Sequence, residues 1–288
     1  MPSTTIGLLH PGAMGVSIGA SAAQNGHTVL WASEGRSPAT RERAESRDFT
    51  DAGSLADLCR RAHTILSVCP PHAAESQAEA VVEAGFAGIY CDANAVSPMR
   101  SESIAAKCAA AGIAYVDGGI IGGPAWKPGS TWLYLSGGRA EAVAALFADG
   151  PLETGVIGDD PGRASALKMC FAAHTKGTTA LLTGIVALAG QLGVRDALFG
   201  HWERSGSDLH ERAPHAARTV TAKAWRFAGE MDEIADTFEA AGLPDGFHRA
   251  AARIYEDLAG FKDAPATPEL EAVLDALLQR PRDTSRHP

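Results

Sequence analysis

The first half of the chain alternates short apolar runs with stretches of helical character. Runs of this length, bounded by turn residues, indicate strands. Strands that alternate with helices form right-handed βαβ units and a parallel sheet, and runs that are apolar throughout are typical of strands covered on both faces. The predicted strands are residues 6–9, 28–31, 64–69, 88–92 and 114–117, with predicted helices that include 15–24, 73–84 and 101–111.

The pattern changes in the second half of the chain. Residues 132–136 (WLYLS) predict one more strand, which follows a turn-rich segment and is expected to pair antiparallel at the sheet edge. From residue 163 to 192 no proline occurs, which favours one long, buried helix of small and apolar residues. Further helices are predicted at 195–204, 214–241, 246–261 and 268–278, and residues 280–288 are expected to fray.

Composition excludes several classes of protein. The net charge of −9 makes the chain a poor candidate for binding nucleic acid or an anionic membrane. Five cysteines without C-x-x-C spacing indicate buried thiols in a reducing compartment, and no group of residues has metal-ligand spacing. The longest apolar run, 180–189, is shorter than the about 20 residues that cross a bilayer. We expect a cytoplasmic protein without secretory signal, metal, membrane or nucleic-acid partner.

The first predicted strand leads directly into a glycine-rich turn, His10-Pro11-Gly12-Ala13-Met14-Gly15. In the dinucleotide fingerprint G-x-G-x-x-G, the first glycine makes the turn, the second admits the pyrophosphate, and the third lets helix and strand pack closely. Gly12 and Gly15 occupy the second and third positions, and His10 occupies the first. A helix N-terminus behind this turn attracts phosphate. We predict a Rossmann doubly wound sheet in residues 1–162, with cofactor contacts from residues 10–14, although His10 could instead serve the turn alone.

The end of the second strand decides between NAD and NADP. An NAD enzyme usually has an acidic residue there, whereas this chain has Ser33, which does not repel a phosphate. Arg36 and Ser37, aided by Arg41 or Arg43, could hold a 2′-phosphate through charge-assisted hydrogen bonds. Glu34 is the opposing feature, because its carboxylate could hold the ribose hydroxyls of NAD, and the arginines could simply begin a solvated helix. NADP(H) is favoured over NAD(H).

Several segments together resemble a known family, the β-hydroxyacid dehydrogenase superfamily of 6-phosphogluconate and 3-hydroxyisobutyrate dehydrogenases. Within it, the chain resembles a subgroup with a phosphogluconate-dehydrogenase-like C-terminal domain of unknown function. The segments, in the family's order, are GLLHPGAMG (7–15), SVCPP (67–71), DANAVSP (92–98), DGGIIGG (117–123), GRASALK (162–168) and residues 224–244. The resemblance implies cofactor contacts from Cys69, Pro70, Pro71 and Asn94. It also implies an all-α substrate and dimerisation domain in residues 163–288, and a homodimer.

The resemblance makes Lys168 the catalytic residue. Hydride transfer to a carbonyl develops negative charge on oxygen, so a proton donor is needed there, and an apolar setting would improve a lysine in that role. A solvated surface lysine is the alternative. The expected substrate is a small, acidic molecule with a CH–OH or C=O centre. Reduction of an imine and non-catalytic binding of NADP(H) remain alternatives.

The predicted substrate contacts depart from the family pattern. The family's serine before Gly122 and Gly123 is Ile121 here, and its polar residues after the lysine are Phe171 and Ala172. These changes put 3-hydroxyisobutyrate and 6-phosphogluconate themselves in doubt as substrates. His174 and Lys176, on the long helix, could flank the pocket or equally be capped polar groups of a buried helix. Trp225, on a later helix, is the last substrate-binding candidate, although a tryptophan there is more often a core residue.

Overall fold

The computed structural model describes residues 3–279, within which one eight-stranded sheet has the order β3-β2-β1-β4-β5-β6-β7-β8. The first six strands are parallel, β7 pairs antiparallel to β6, and β8 pairs parallel to β7. The strands are β1 (Thr5–Leu9), β2 (Thr28–Trp31), β3 (Thr50–Asp51), β4 (Thr64–Ser67), β5 (Ile89–Asp92), β6 (Ala114–Gly122), β7 (Thr131–Ser136) and β8 (Glu153–Val156). The predicted α/β class with a Rossmann sheet is confirmed.

The helices follow the predicted alternation. They are α1 (Ala13–Gln24), α2 (Pro38–Glu45), α3 (Leu55–Arg61), α4 (Ala74–Glu83), α5 (Pro98–Ala110), α6 (Ala140–Ala144), α7 (Arg163–Gln191), α8 (Arg195–Arg204), α9 (Leu209–Ala240), α10 (Gly246–Asp257) and α11 (Leu270–Leu278). Short 3-10 turns precede α4 and follow α6 and α10. The predicted fraying at 280–288 lies outside the described residues. No helix in residues 3–279 combines the length and apolarity needed to span a bilayer.

Two edge strands were not predicted from the sequence. The antiparallel pairing of β7 is confirmed, but its expected place at the edge is wrong, because β8 pairs along its outer side. The residues of β8 are all half-buried and those of β3 are exposed. Edge strands of this kind lack the continuous apolar run by which the central strands were found.

The predicted start of α9 at residue 214 is also wrong. The helix begins at Leu209, and Pro214 lies inside it. Proline lacks an amide donor and usually marks a helix start, so an interior proline costs about 3 kcal/mol or more. The apolar stripe that includes Ala213, Ala217 and Val220 is buried on both sides of that position, and this packing favours continuous helix.

The first compact unit, Met1–Phe171, contains the sheet. Alternate strand residues enter two separate apolar clusters: Leu8 and Leu66 belong to one, whereas Leu9 and Ile65 belong to the other. Since successive strand side chains point to opposite faces, the two clusters are the two covered faces of the sheet. The runs of apolar residues in the sequence therefore reflect burial on both sides.

The second unit, Ala172–Pro288, contains the rest of α7 and the helices that follow it. The prediction that the long helix is buried is wrong in part. Ala180 and Val186 are buried, but Leu181 and Leu188 are 47% and 55% exposed. The helix buries one stripe within this chain and leaves an apolar stripe uncovered.

Candidate cofactor and active site

The predicted site residues of the first unit follow the carboxyl ends of parallel strands. His10 follows β1, Ser33 follows β2, Cys69 follows β4, and Asn94 follows β5. In open α/β sheets, ligands bind at this edge, next to the point where the strand order reverses. Here that point lies between β1 and β4. The topology therefore gathers these residues along the edge that binds dinucleotides in such folds.

The turn after β1 leaves the start of α1 open. Gly12 is the N-cap of α1, and no side chain in the described part of the chain caps the helix. A Cβ at Gly15 would collide with the carbonyl oxygen of His10, so a glycine is required there for close packing. His10 itself has a φ of +66°. Glycine favours this left-handed conformation, and histidine is among the residues that tolerate it, which explains the exchange at the first position.

Two buried polar atoms in the loops that follow β1 and β2 lack hydrogen-bond partners among the described residues. They are His10 Nδ1 and Arg36 Nε. Both residues line a pocket of about 120 Å³, together with Leu8, Leu9, Ala32, Glu34, Leu55 and Gln77. Burial, together with the positive charge of Arg36, lowers the pKa of His10 to about 4, and burial also lowers the pKa of Arg36. A buried guanidinium nitrogen without a partner fits an anionic group of a ligand.

The other residues at the end of β2 are already engaged with protein. Burial alone would raise the pKa of Asp51, but hydrogen bonds from Gly53 and Ser33 lower it. Arg41 also faces Asp51, at 3.6 Å. Glu34 is exposed, although it lines the pocket of Arg36. Among the candidate arginines, Arg36 is therefore the one whose position fits a ligand phosphate.

Ser37 and Arg43 have structural roles next to the same turn. The Ser37 hydroxyl caps α2 by accepting a hydrogen bond from the Thr40 amide at 3.3 Å. Arg43 Nε donates to the carbonyl oxygen of Pro11 at 3.2 Å. Arg43 thus connects α2 to the glycine-rich turn and supports the turn's shape, a role that sequence analysis did not separate from phosphate binding.

Asn94 connects the loops after β4 and β5. Its side-chain oxygen accepts a hydrogen bond from the Cys69 amide, and its nitrogen donates to Ser67 Oγ at 3.1 Å. Its own amide donates to Asp92 Oδ1 at 3.0 Å. Pro70 and Pro71 follow Cys69, and Pro71 begins a 3-10 turn. Both loops are therefore held in fixed positions at the edge where a cofactor would lie.

Lys168 lies on the first turns of α7, against β6. Its Nζ donates to the carbonyl oxygen of Ile120 at 2.6 Å, and the residue is half-buried. Ile121 and Gly122 end this strand, and Gly123 is exposed beyond it. Gly122 has a φ of +126°, and a Cβ there would collide with the carbonyl of Ser130, so a glycine is required. The predicted catalytic lysine and predicted substrate segment are thus brought together in one unit.

Two buried carboxyl groups on neighbouring strands of the sheet were not singled out from the sequence. Asp92 and Asp117 are cross-strand partners on β5 and β6, and each is 1% exposed. Burial, with the neighbouring Asp117 as a further cause, raises the pKa of Asp92 to about 7, although hydrogen bonds from Asn94 oppose the shift. The sequence did offer a signal for them, because Asp92 opens the segment 92–98 and Asp117 opens the segment 117–123, both of which resemble family motifs. Asp117 lies on the same strand as the Ile120 carbonyl that Lys168 contacts, which makes Asp117 the candidate of the two for a role in the site.

The remaining candidates are distributed differently. Phe171 belongs to the first unit and is 40% exposed. Ala172 and Trp225 belong to the second unit, and Ala172 is buried there. The Lys262 ammonium lies over the Trp225 ring, 4.4 Å from its centroid. His174 is exposed. Lys176 forms an ion pair with Glu230, and both side chains are 11% exposed, which favours a structural role for Lys176. Residues 3–279 contain no group of three or more acidic, histidine or cysteine side chains suited to a metal.

The fold and the open helix N-terminus define a dinucleotide-binding Rossmann domain. Residues 5–148 match the family described as the NAD binding domain of 6-phosphogluconate dehydrogenase, and residues 189–258 match a domain of unknown function. The chain belongs to the 6-phosphogluconate dehydrogenase NAD-binding family. The predicted superfamily and subgroup, and the prediction of a dehydrogenase-type domain, are confirmed.

Individual relatives agree with this assignment. An uncharacterized 28.5 kDa protein of Methanothermus fervidus is 31% identical over 57% of this chain, and the match spans 63% of that relative's length. A conserved protein of unknown function, described as structurally similar to 3-hydroxyacid dehydrogenases, is 28% identical, with a TM-score of 0.65 over 89% of this chain and 97% of its own.

More distant structures share the fold. The Mycobacterium tuberculosis 3-hydroxyisobutyrate dehydrogenase with L-serine is 19% identical, with a TM-score of 0.70 over 96% of this chain and 99% of its own. A reductive aminase of Aspergillus terreus in complex with NADPH and ethyl levulinate is 15% identical, with a TM-score of 0.57 over the same shares of the two chains.

Proposed function

We propose that this protein is an NADP(H)-dependent oxidoreductase that acts on the CH–OH or C=O centre of a small, acidic substrate, with Lys168 as acid and base. The observation that carries the proposal is the position of the Lys168 ammonium, 2.6 Å from the Ile120 carbonyl at the end of β6. A proton donor at this position would lie at the edge where open α/β sheets bind their ligands, which supports the proposed role. L-Serine in the M. tuberculosis structure supports a small, charged substrate.

The residues present fit NADP(H). The amides at the uncapped start of α1, beside Gly12, would hold the pyrophosphate. Arg36 would contact the 2′-phosphate through its partnerless Nε, next to His10, Ser33 and Ser37. When bound, the cofactor supplies or accepts the hydride. NADPH in the reductive aminase structure supports the choice of the phosphorylated form.

Lys168 would supply the proton that the reduced carbonyl oxygen needs. Its hydrogen bond to the Ile120 carbonyl holds the ammonium in one place, and the half-buried setting limits competition from water. In the oxidation direction, the neutral amine would remove the proton of the alcohol. Ile121, at the end of the same strand, offers no polar contact, so the substrate must be held by other groups.

Cofactor titration comes first in testing the proposal. Calorimetry should show NADPH binding at least about tenfold tighter than NADH, which corresponds to about 1.4 kcal/mol. Tighter binding of NADH would move the ribose contact to Glu34. If neither binds, the proposed function fails.

Screening of ketones, hydroxyacids and imines with NADPH then tests Lys168. On any substrate found, Lys168→Ala should lose about 10²–10⁴-fold in turnover, while NADPH affinity stays unchanged. Lys223→Ala, at an exposed lysine, is the matched control and should keep full turnover. Full turnover of Lys168→Ala would contradict the proposed role. Turnover of imines alone would favour imine reduction, and cofactor binding without any turnover would favour a sensor.

A homodimer and a cytoplasmic location are also part of the proposal. The exposed Leu181 and Leu188 on α7 are separated by two helical turns and so form one apolar stripe that a second copy would cover. Light scattering should give about twice the chain mass of 29.9 kDa. A monomeric mass would contradict the dimer, and Leu188→Glu should produce one. Free thiols on all five cysteines support a reducing compartment.

A further inference from the structure

The start of α7 is attached to β6 and β7 by side chains. Asp117, on β6, accepts hydrogen bonds from the Ser165 amide at 2.9 Å and from the Ser165 hydroxyl at 2.6 Å. Ser136, on β7, accepts from the Ala164 amide at 3.2 Å and donates to Asp117 at 3.2 Å. The first amides of a helix have no partner within the helix, so these side chains cap α7. The capping carboxylate also faces the positive end of the helix dipole.

Strand β6 also contacts Lys168, which lies on α7 one turn beyond Ser165. Its ammonium donates to the Ile120 carbonyl of β6. Ser165 and Lys168 are three residues apart and therefore share a side of α7. Asp117 and Ile120, their respective partners, are three residues apart on β6. Between them, a Cβ at Gly119 would lie 2.6 Å from the Ala164 carbonyl oxygen and 3.2 Å from Lys168 Cβ. The absence of a side chain lets the helix approach the strand closely.

We propose that Asp117 is a positioning residue: by capping the first turn of α7, it fixes the Lys168 ammonium at the end of β6. The inference rests on the proposed function of Lys168. Asp117 is buried to 1% exposure beside the helix start, and its hydrogen bonds to Ser165 connect it to the lysine-bearing turn. Loss of the carboxylate weakens both Ser165 hydrogen bonds and leaves the Ser136 hydroxyl as the remaining acceptor at the helix start, so the lysine turn should open more often.

Asp92 provides a matched control for Asp117. The two residues are directly opposite each other in the sheet, equally buried, and both carboxylic acids. Asp92 accepts from the Asn94 amide, on its own strand end, and not from α7. Asp117→Asn and Asp92→Asn therefore remove the same group from the same part of the core, but only the first should affect Lys168. Ser165→Ala is a milder variant than Asp117→Asn, because it removes the hydroxyl hydrogen bond to Asp117 and keeps the one from the Ser165 backbone amide.

Two measurements on the full chain report on the lysine turn without a substrate. Hydrogen exchange, followed by mass spectrometry over residues 163–171, should be about tenfold faster in Asp117→Asn, since one of the two oxygens that accept from Ser165 becomes an NH2 donor. Acylation of Lys168 by an amine-selective reagent, with Lys107 and Lys223 as internal references, should be faster by a similar factor. Asp92→Asn should leave both rates within about twofold of the native chain, because it removes no bond to α7. Ser165→Ala should change both by about threefold.

Catalysis adds a readout that a merely structural role would not change. On any substrate found, Asp117→Asn should lower kcat about tenfold, with an altered pH profile and an unchanged KM for NADPH. Unchanged exchange and acylation in Asp117→Asn, or equal changes in Asp92→Asn, would overturn the inference. If Asp117→Asn does not fold, Ser165→Ala decides: an unchanged lysine turn overturns it. Full turnover of Lys168→Ala would remove the proposed function but leave both rate measurements valid, so the two failures are distinguishable.

Discussion

The two ends of the candidate site are built differently. At the ends of β1 and β2, His10 and Arg36 have buried polar atoms without partners among the described residues. At the end of β6, Asp117 and Lys168 both have hydrogen bonds, one to the first turn of α7 and one to a strand carbonyl. A buried polar group without a partner costs stability, and a ligand that supplies the partner would offset that cost. This difference agrees with the proposal that the first end binds the cofactor and the second transfers the proton.

The largest expected effect is at the preorganised end. Gly119→Ala would place a Cβ 2.6 Å from the Ala164 carbonyl, a backbone atom that moves only if α7 moves. We expect the free energy of unfolding to fall by about 3 kcal/mol, the upper part of the range for overpacking. Urea unfolding measures this, and turnover on any substrate should fall as well because Lys168 is displaced.

Gly138→Ala is the matched control for that substitution. Gly138 is exposed, and a Cβ there has no heavy atom within 4 Å. Its free energy of unfolding should change by less than about 0.5 kcal/mol. Equal effects at Gly119 and Gly138 would show that α7 and β6 are not closely packed, and the contrast between the two ends of the site would then lose its basis.

The next effect is at the binding end. Arg36→Ala should weaken NADPH binding by about 2 kcal/mol, the contribution of a charge-assisted hydrogen bond, and leave NADH binding nearly unchanged. Calorimetry with both cofactors measures the difference. Arg41→Ala is the control, since Arg41 already faces Asp51 and Glu45. Equal losses for NADPH and NADH in Arg36→Ala would mean that Arg36 supports the fold of the pocket and does not contact a phosphate.

The sequence predicts the central sheet well because burial on both faces leaves continuous apolar runs, as in β1 and β4. It does not predict β3 and β8, whose exposed or half-buried residues have no such pattern. In the site, single residues with a family counterpart, such as Lys168, could be proposed from the sequence. The capping role of Asp117 could not, because its partner Ser165 is distant along the chain and the bond exists only once α7 packs on β6.

The smallest expected effect concerns pH, and the two ends should show opposite signs. The pKa of His10 falls from its ordinary 6.5 to about 4, so between these values the unfolded chain binds more protons there. Stability contributed by this group rises with pH across that window. The pKa of Asp92 rises from 3.8 to about 7, so the folded chain binds more protons, and the stability contributed by that group falls as pH rises.

Single variants should reveal these opposed slopes between pH 4.5 and 6. His10→Gly removes a contribution that rises with pH, so the slope of the unfolding free energy against pH should be lower in this variant than in the native chain. Asp92→Asn should do the reverse, each by about 1 kcal/mol per pH unit at most. Urea unfolding at several pH values measures both slopes. Since the left-handed φ of His10 suits glycine, His10→Gly should also raise stability by about 1 kcal/mol at neutral pH, above the pH window in which His10 titrates. Parallel slopes in the two variants would show that His10 and Asp92 do not titrate in opposite senses, and the electrostatic contrast between the two ends would fail.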